Sequence, residues 1–341
     1  MTINIALVTR EAVIFGCDSL SSSSEWAFFP FRDGAEYAKD SNGDFLSDSN
    51  GNKLISVPSN QIHSVVSTVF DGARKLFCIC EEGDIKISAV TSGLAAMKSG
   101  TIAEIAQQYK KSNKGEIFTT VDEVANSFLS YMRKEWEKEF QFDHIPEEQK
   151  NYLPDLNFIV GGFGKNDTNG KIFDIEVKQN RVSRQFSDES PYGICWAGQT
   201  EFVQRLLNGA DSNLIFTVNK EIVKSLINQR SAILESFSKS LTDAGVQIPE
   251  GLELNITETL ETTMPWNLAA VGLDIANLPL QHAIDFASLL VNTQSGIQKF
   301  ATGIPTVGGR THIGLLMRGE KFRMLNEQDL MHTHTGYLND I

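Results

Sequence analysis

Four short stretches hold residue types whose spacing could do chemistry. The first is the opening TINIALVTREAVIFGCDS, where Thr2 heads an alternating apolar run and Asp18 follows sixteen residues later. A threonine hydroxyl attacks a carbonyl carbon only where a neighbouring group relieves it of its proton. The second is DSNGD, with Asp40, Asn42 and Asp44 at alternate positions, as in a calcium loop. Gly51 stands where an EF-hand places its bidentate glutamate, so hairpin turns account better for the stretch. The third, MHTHTG, offers His332 and His334, but two imidazoles without further ligands read as a solvated tail. The fourth, GGFG at 161–164, follows a strand pattern with no helix start or phosphate motif after it, and reads as a strand end.

The elements that would position these residues follow from hydrophobic period. Thr2–Val8 and Ala12–Cys17 are strand-like and joined by a tight polar TRE, which predicts an antiparallel hairpin. From about 21 to 60 the chain turns rich in Ser, Asn, Asp and Gly, with Asn-Gly at 42–43 and 50–51, which predicts an inserted β-ribbon. HSVVSTVF, RKLFCIC and IKISAVTSG read as strands, then Ile102–Tyr109 and Val121–Phe140 as helices. LNFIVGGFG, KIFDIEV and GICWAG are again strand-like, and EFVQRLLNG is a short helix ended by Gly209. A second unusual block spans about 210–275: a long amphipathic helix, KEIVKSLINQRSAILESFSKSLTDAG, then a possible strand LELNI. A helix in LPLQHAIDFASLLVNTQSGIQKF and two short strands around the Arg-Gly turn of RTHIGLLMRGEKFRML close the pattern. Strands and helices in blocks argue for an α+β fold with antiparallel sheets and helices on their outer faces.

Composition narrows the function. The 341 residues are 41% hydrophobic, enough for a full core. No apolar run is long enough for a membrane helix, and the first residues lack the pattern of a signal peptide. A net charge of −13 repels phosphates, so neither nucleic acid nor an anionic membrane is an expected partner. The four cysteines are scattered in apolar runs; only Cys78 and Cys80 are close, and no second Cys or His cluster supports a metal there. Reduced core thiols, a cytosolic setting and no cofactor are the expectation.

The ordered combination resembles a mature proteasome β-subunit, an N-terminal nucleophile hydrolase, nearest the bacterial proteasome-like proteins of Anbu and HslV type. That family opens on Thr, runs two strands and ends the second in Asp-Ser, as here with Thr2 and Asp18. RKLFCIC resembles its catalytic-lysine strand and places that lysine at Lys75. SAVTSGLAAM resembles its strand-to-helix junction, whose glycine supplies an oxyanion N–H; this falls on Gly93. LNFIVGGFG, WAGQTEFVQRLL and TVGGRTHIGLLMRGEKF match later segments in order. The resemblance covers about two thirds of the chain and leaves out 22–68 and 210–275. It implies a four-layer αββα sandwich, one domain over 1–341 with a β-ribbon insert and a helical insert. It also implies a threonine peptidase working inside a ring-like homo-oligomer on peptides or unfolded chains.

In that chemistry the first residue acts twice: its side-chain oxygen attacks and its free α-amine takes up the proton. An unperturbed α-amine has a pKa of about 7.7–8.0, so part of it is neutral near pH 7.5. A neighbouring ammonium, Lys75, lowers that value, and Asp18 balances the buried charge. Met1 is then a cap for removal. Taken singly, Thr2 is just the residue after a start methionine, Asp18 a turn residue, Lys75 a solvated edge lysine and Gly93 a turn glycine.

The pattern also has departures. Leu20 stands where the family has Arg, Ala197 where it has a Ser, and Ile304 and Val307 near the positions of an Asp and a Ser that flank the amine. Ser19, Ser21, Ser22, Thr91 or Thr306 are candidate substitutes. Two alternatives follow: a non-catalytic scaffold subunit of the same fold, or an amidase acting on a small amide.

Overall fold

The computed structural model describes residues 2–27, 36–56, 63–246 and 270–325. Strands come first: β1 (Ile3–Val8), β2 (Ala12–Asp18), β3 (Ser21–Ala27), β4 (Glu36–Tyr37), β5 (Ile55–Ser56), β6 (His63–Phe70), β7 (Leu76–Glu82), β8 (Ile85–Gly93), β9 (Ala96–Met97) and β10 (Gly100–Thr101). Helices α1 (Ile102–Ser112), α2 (Val121–Phe140) and the single turn α3 (Glu147–Lys150) follow. Next are β11 (Leu156–Phe163), β12 (Lys171–Glu176), β13 (Arg181–Arg184) and β14 (Gly193–Gly198), then α4 (Glu201–Asn208), α5 (Ser212–Asp243) and α6 (Leu280–Gln298), then β15 (Thr311–Met317) and β16 (Arg323–Met324).

Two compact units are distinguishable, Met1–Gln199 with Ile275–Ile341, and Thr200–Asp274. The first holds two antiparallel five-stranded sheets, ordered β14-β1-β2-β15-β16 and β13-β12-β11-β8-β7. Every residue of β1 and β2 is buried, because both strands are covered on two faces. Gly16 faces α6; a side chain there would press on Val291, so the glycine lets the helix sit close. Ala6, Val8, Phe15 and Cys17 point the other way and share an apolar cluster with Val90, Ile159 and Phe163 of the second sheet. Phe77, Ala89 and Phe158, on the opposite face of that sheet, pack with Ile105, Tyr109, Phe128 and Trp136 of α1 and α2. Phe128 meets Tyr109 and Phe158 edge-on, with ring centroids 5.0 and 4.9 Å apart. Burying one such side chain stabilises the fold by roughly 1.5–3 kcal/mol.

The fold is therefore a mixture of antiparallel sheets and helices, in the block order expected. α2 has the expected bounds, opened by the Thr120–Glu123 capping box. α1 runs on to Ser112, and β2 to Asp18. α5 starts at Ser212, earlier than the apolar stripe suggests, because Asp211 caps it by accepting from Leu214 N at 2.9 Å. β13 is short and polar, and exists through its pairing with β12, which local pattern does not carry.

HSVVSTVF is a strand, β6, but it pairs with β3 as an arm of the insert and not with the core sheets. Beyond it the insert narrows to β4–β5 and two tight turns. In the first, Gly43 N donates to Asp40 O at 3.1 Å and Asp40 N to Asp44 O at 2.9 Å. The Asp40 carboxylate accepts from Asn42 N at 2.8 Å and Asp44 N at 3.0 Å, so it is spent on its own turn. Asp48 repeats this arrangement, and its carboxyl is held below the usual range chiefly by the Asn52 side chain. LELNI and MHTHTG lie outside the described residues.

In the second unit, Gly209 ends α4 in the left-handed conformation. Arg205 pairs with the Asp211 carboxylate, and Gln204 Oε1 accepts from Ser212 N at 3.1 Å and Ser212 Oγ at 2.9 Å.

Candidate active site

The hairpin register explains the sixteen-residue spacing of Thr2 and Asp18. Ile5 pairs with Gly16 and Asn4 with Cys17, so continuing the ladder brings Asp18 beside the first residues of β1. Thr2 Oγ donates to Asp18 Oδ1 at 2.5 Å, and Ile3 N donates to the same oxygen at 3.0 Å. Lys75 arrives from the other sheet, one residue before β7, where Thr91 N donates to its carbonyl at 3.0 Å. Its Nζ donates to Thr2 Oγ at 2.6 Å and to Asp18 Oδ1 at 2.7 Å. The three side chains thus close a triangle, at 3%, 1% and 7% exposure for Thr2, Asp18 and Lys75.

Backbone donors complete the carboxylate. Asp18 Oδ2 accepts from Gly308 N at 3.0 Å and Leu20 N at 3.3 Å. Asp18 therefore receives five hydrogen bonds, which fix the carboxylate against Lys75. The loop before β15 also grips Ser19: Arg310 N donates to Ser19 Oγ at 2.7 Å, and Ser19 Oγ donates to Asp71 at 2.6 Å. A threonine oxygen that accepts from an ammonium while giving its own proton to a carboxylate is polarised for proton loss and attack.

Gly93 closes β8 and is exposed, with φ 95°. Only glycine suits that backbone, and a Cβ there would strike the Asp155 carbonyl. Leu76 pairs with Val90, so Lys75 and Gly93 leave the second sheet at the same end. Gly93 and the triangle thus share one end of one sheet, while Gly93 makes none of the triangle's contacts.

Beneath the triangle, cross-strand pairing sets Asn4, Cys17 and His312 side by side on β1, β2 and β15. Burial pushes the Cys17 thiol up to about 12, with Lys75 acting in the opposite sense and Asp18 in the same one. Burial holds the His312 imidazole below its ordinary value, and the Lys75 charge adds to this. Both ends of the Asn4 amide and His312 Nε2 are buried without a hydrogen-bond partner among the described residues.

The sequence departures resolve into particular contacts. Leu20 contributes its backbone N–H to Asp18. Ala197 pairs with Asn4. Ile304 is exposed and Val307 fully buried, and neither brings a polar side chain. Two partners escaped the sequence reading: Gly308, through its N–H, and Gln199, whose N donates to Thr2 O at 2.7 Å. Backbone donors leave no side-chain signal; the paired glycines of TVGGR are the nearest to one. Among the described residues no group of three or more His, Cys, Asp or Glu could hold a metal, and no helix is long and apolar enough to cross a membrane.

No protein-family model matches the chain, and no curated protein matches it in sequence. Solved structures similar to it include Anbu from Hyphomicrobium sp. strain MC1, at 10% identity over 96% of this chain and 86% of that one, with a TM-score of 0.44. Anbu from Yersinia bercovieri is similar at 11% identity over 96% and 88%, TM-score 0.44. A helical assembly of the Anbu complex from Pseudomonas aeruginosa is similar at 10% over 96% and 88%, TM-score 0.43.

Proposed function

We propose that the chain is a proteasome-like threonine hydrolase that cleaves peptide bonds, with Thr2 as the nucleophile once Met1 is removed. The observation that carries this reading is the triangle: Lys75 Nζ lies 2.6 Å from Thr2 Oγ and 2.7 Å from Asp18 Oδ1. The sequence resemblance supports it independently. The domain is a four-layer αββα sandwich with a β-ribbon insert over 22–68 and a helical insert over 210–275.

In the reaction Thr2 Oγ attacks the carbonyl carbon, and its proton passes to the freed α-amine. The C–O bond forms as the carbonyl π electrons move to oxygen, where the Gly93 N–H receives the developing charge. The Lys75 ammonium stabilises the attacking oxygen, and the Asp18 carboxylate balances its charge. Collapse breaks the C–N bond, the leaving amine takes the proton from the α-amine, and water then releases the acyl group from Thr2. A homo-oligomeric ring in the cytoplasm would confine such a site to peptides and unfolded chains.

Intact mass of the purified protein reads whether Met1 is gone. With Met1 removed, hydrolysis of fluorogenic peptides vanishes in Thr2→Ala and falls by about two to three orders of magnitude in Lys75→Ala, as for loss of a charge-stabilising donor. Quantitative retention of Met1, or turnover that survives Thr2→Ala, overturns the reading.

A scaffold role is the second reading. It is favoured by the burial of Thr2, 3% exposed, and by the apolar Ile304 and Val307 where the family has polar groups. Wild-type protein that lacks Met1 yet hydrolyses neither peptides nor small amides supports it.

A further inference from the structure

We infer that Gln298, the last residue of α6, is a positioning residue that locks Thr2 and Asp18 into one geometry. The inference rests on the hydrolase reading for its catalytic consequence, but not for its structural one. Gln298 Oε1 accepts from two consecutive backbone amides, Thr306 N at 3.3 Å and Val307 N at 3.0 Å. The next amide, Gly308 N, is the one that donates to Asp18 Oδ2 at 3.0 Å. At its other end Gln298 Nε2 donates to Gln199 Oε1 at 2.7 Å, where Thr306 Oγ also donates at 3.0 Å. The Gln199 backbone N in turn donates to Thr2 O at 2.7 Å. One planar amide therefore spans two backbone segments, one fixing the nucleophile's own carbonyl and the other fixing the carboxylate beside it.

A primary amide suits this task. Its oxygen has two lone pairs for two N–H groups, and its nitrogen supplies a donor with no charge to compete with Lys75. Val307 belongs to the same device: its buried aliphatic side chain anchors the loop, while its N–H is taken by Gln298. Polar positioning groups are thus present around Thr2, but they come from Gln199, Gln298 and Thr306.

The test compares Gln298→Met, which keeps length and removes both polar ends, with Gln298→Glu, which keeps the acceptor for the loop amides. Gln199 can rotate its amide to donate to that carboxylate. Hydrogen exchange on the full-length protein is read at peptides holding Gln199 and at those holding Val307 and Gly308. In Gln298→Met protection falls by about tenfold or more at both places, with β7 and β8 unchanged, as expected for a local opening. Gln298→Glu keeps most of it. For peptide hydrolysis, kcat falls by about 10- to 100-fold in Gln298→Met with KM within about twofold, the signature of a misplaced reacting group.

Wild-type protection at both segments in Gln298→Met, or a loss spread evenly over the chain, overturns the inference. If Gln298→Met does not fold, Gln199→Met breaks the same link from the other side and is read in the same way. A wild-type protein without turnover counts against the hydrolase reading alone, because the exchange measurement decides the clamp without it.

Discussion

Lys75 Nζ lies 2.7 Å from Asp18 Oδ1 with both side chains buried, and the two are unequally provided for. Without Lys75, Asp18 keeps the Thr2 hydroxyl and the N–H groups of Ile3, Leu20 and Gly308. Without the Asp18 charge, the ammonium keeps the Thr2 oxygen and gains an amide in place of a carboxylate. Asp18→Asn is therefore expected to cost about 3–5 kcal/mol, the range for an uncompensated buried charge. Lys75→Met is expected to cost less, about 1–3 kcal/mol, since the carboxylate stays hydrogen-bonded. Urea unfolding of both variants and of the double variant checks this. The double variant should be more stable than the sum of the two losses implies. Equal single losses that add would show that the pair is not coupled.

The hairpin half of this site was legible in the sequence, Lys75 only through resemblance, and the backbone donors not at all. A tight turn after Val8 fixes the register, and register alone carries Asp18 to the head of β1. The helices on the second sheet were equally plain, because α2 repeats its apolar positions at the helical period between clear caps. Lys75 is different: it sits on another sheet, and only the packing of two sheets brings it to Thr2. Gly308 and Gln199 act through backbone N–H groups, which every residue but proline owns, so no residue type announces them. β6 was legible as a strand, but an alternating strand carries no label for the sheet it joins, and only its pairing with β3 shows that.

Gly198 offers a local test of how tightly Thr2 is held. Its φ is 84°, and a Cβ there would run into the Thr2 carbonyl. Gly51 has φ 82° with nothing within 4 Å of a Cβ. Gly51→Ala should cost about 1–2 kcal/mol, the conformational term alone. Gly198→Ala carries the same term plus displacement of Thr2, and should cost about 4 kcal/mol or more while abolishing peptide hydrolysis. Urea midpoints and peptide turnover check both. Equal losses would mean that the Thr2 backbone yields freely.

The cysteines give a reactivity prediction. Burial raises all four thiols, Cys17 and Cys195 to about 12 and Cys80 to about 11. Cys78, half-buried with Lys110 Nζ 3.2 Å from its sulfur, keeps a nearby cation that favours the thiolate. Brief alkylation at pH 8 should modify Cys78 first and leave Cys17 and Cys195 unmodified until denaturant is added. Peptide mass mapping reads the order. Early labelling of Cys17 would mean that the space beneath Thr2 opens to solvent.

His312 makes stability depend on pH with a definite sign. Burial holds its folded value below that of the unfolded chain, with Lys75 and Arg310 acting in the same sense and Asp18 and Asp71 opposing. The unfolded state therefore binds more protons across that interval, and stability rises with pH through it. The contribution is fully present above the unfolded imidazole value of about 6.5 and is lost as pH falls through the folded one. Cys17, beside it on β2, stays a thiol over the whole range and adds no titration of its own. Unfolding midpoints in urea at about pH 7.5 and pH 5.5, either side of a free imidazole, should show the wild-type protein weakening on acidification. His312→Gln keeps a polar group without a titrating proton, so its midpoint should change less over the same interval. An identical change in the two proteins would place the acid sensitivity elsewhere.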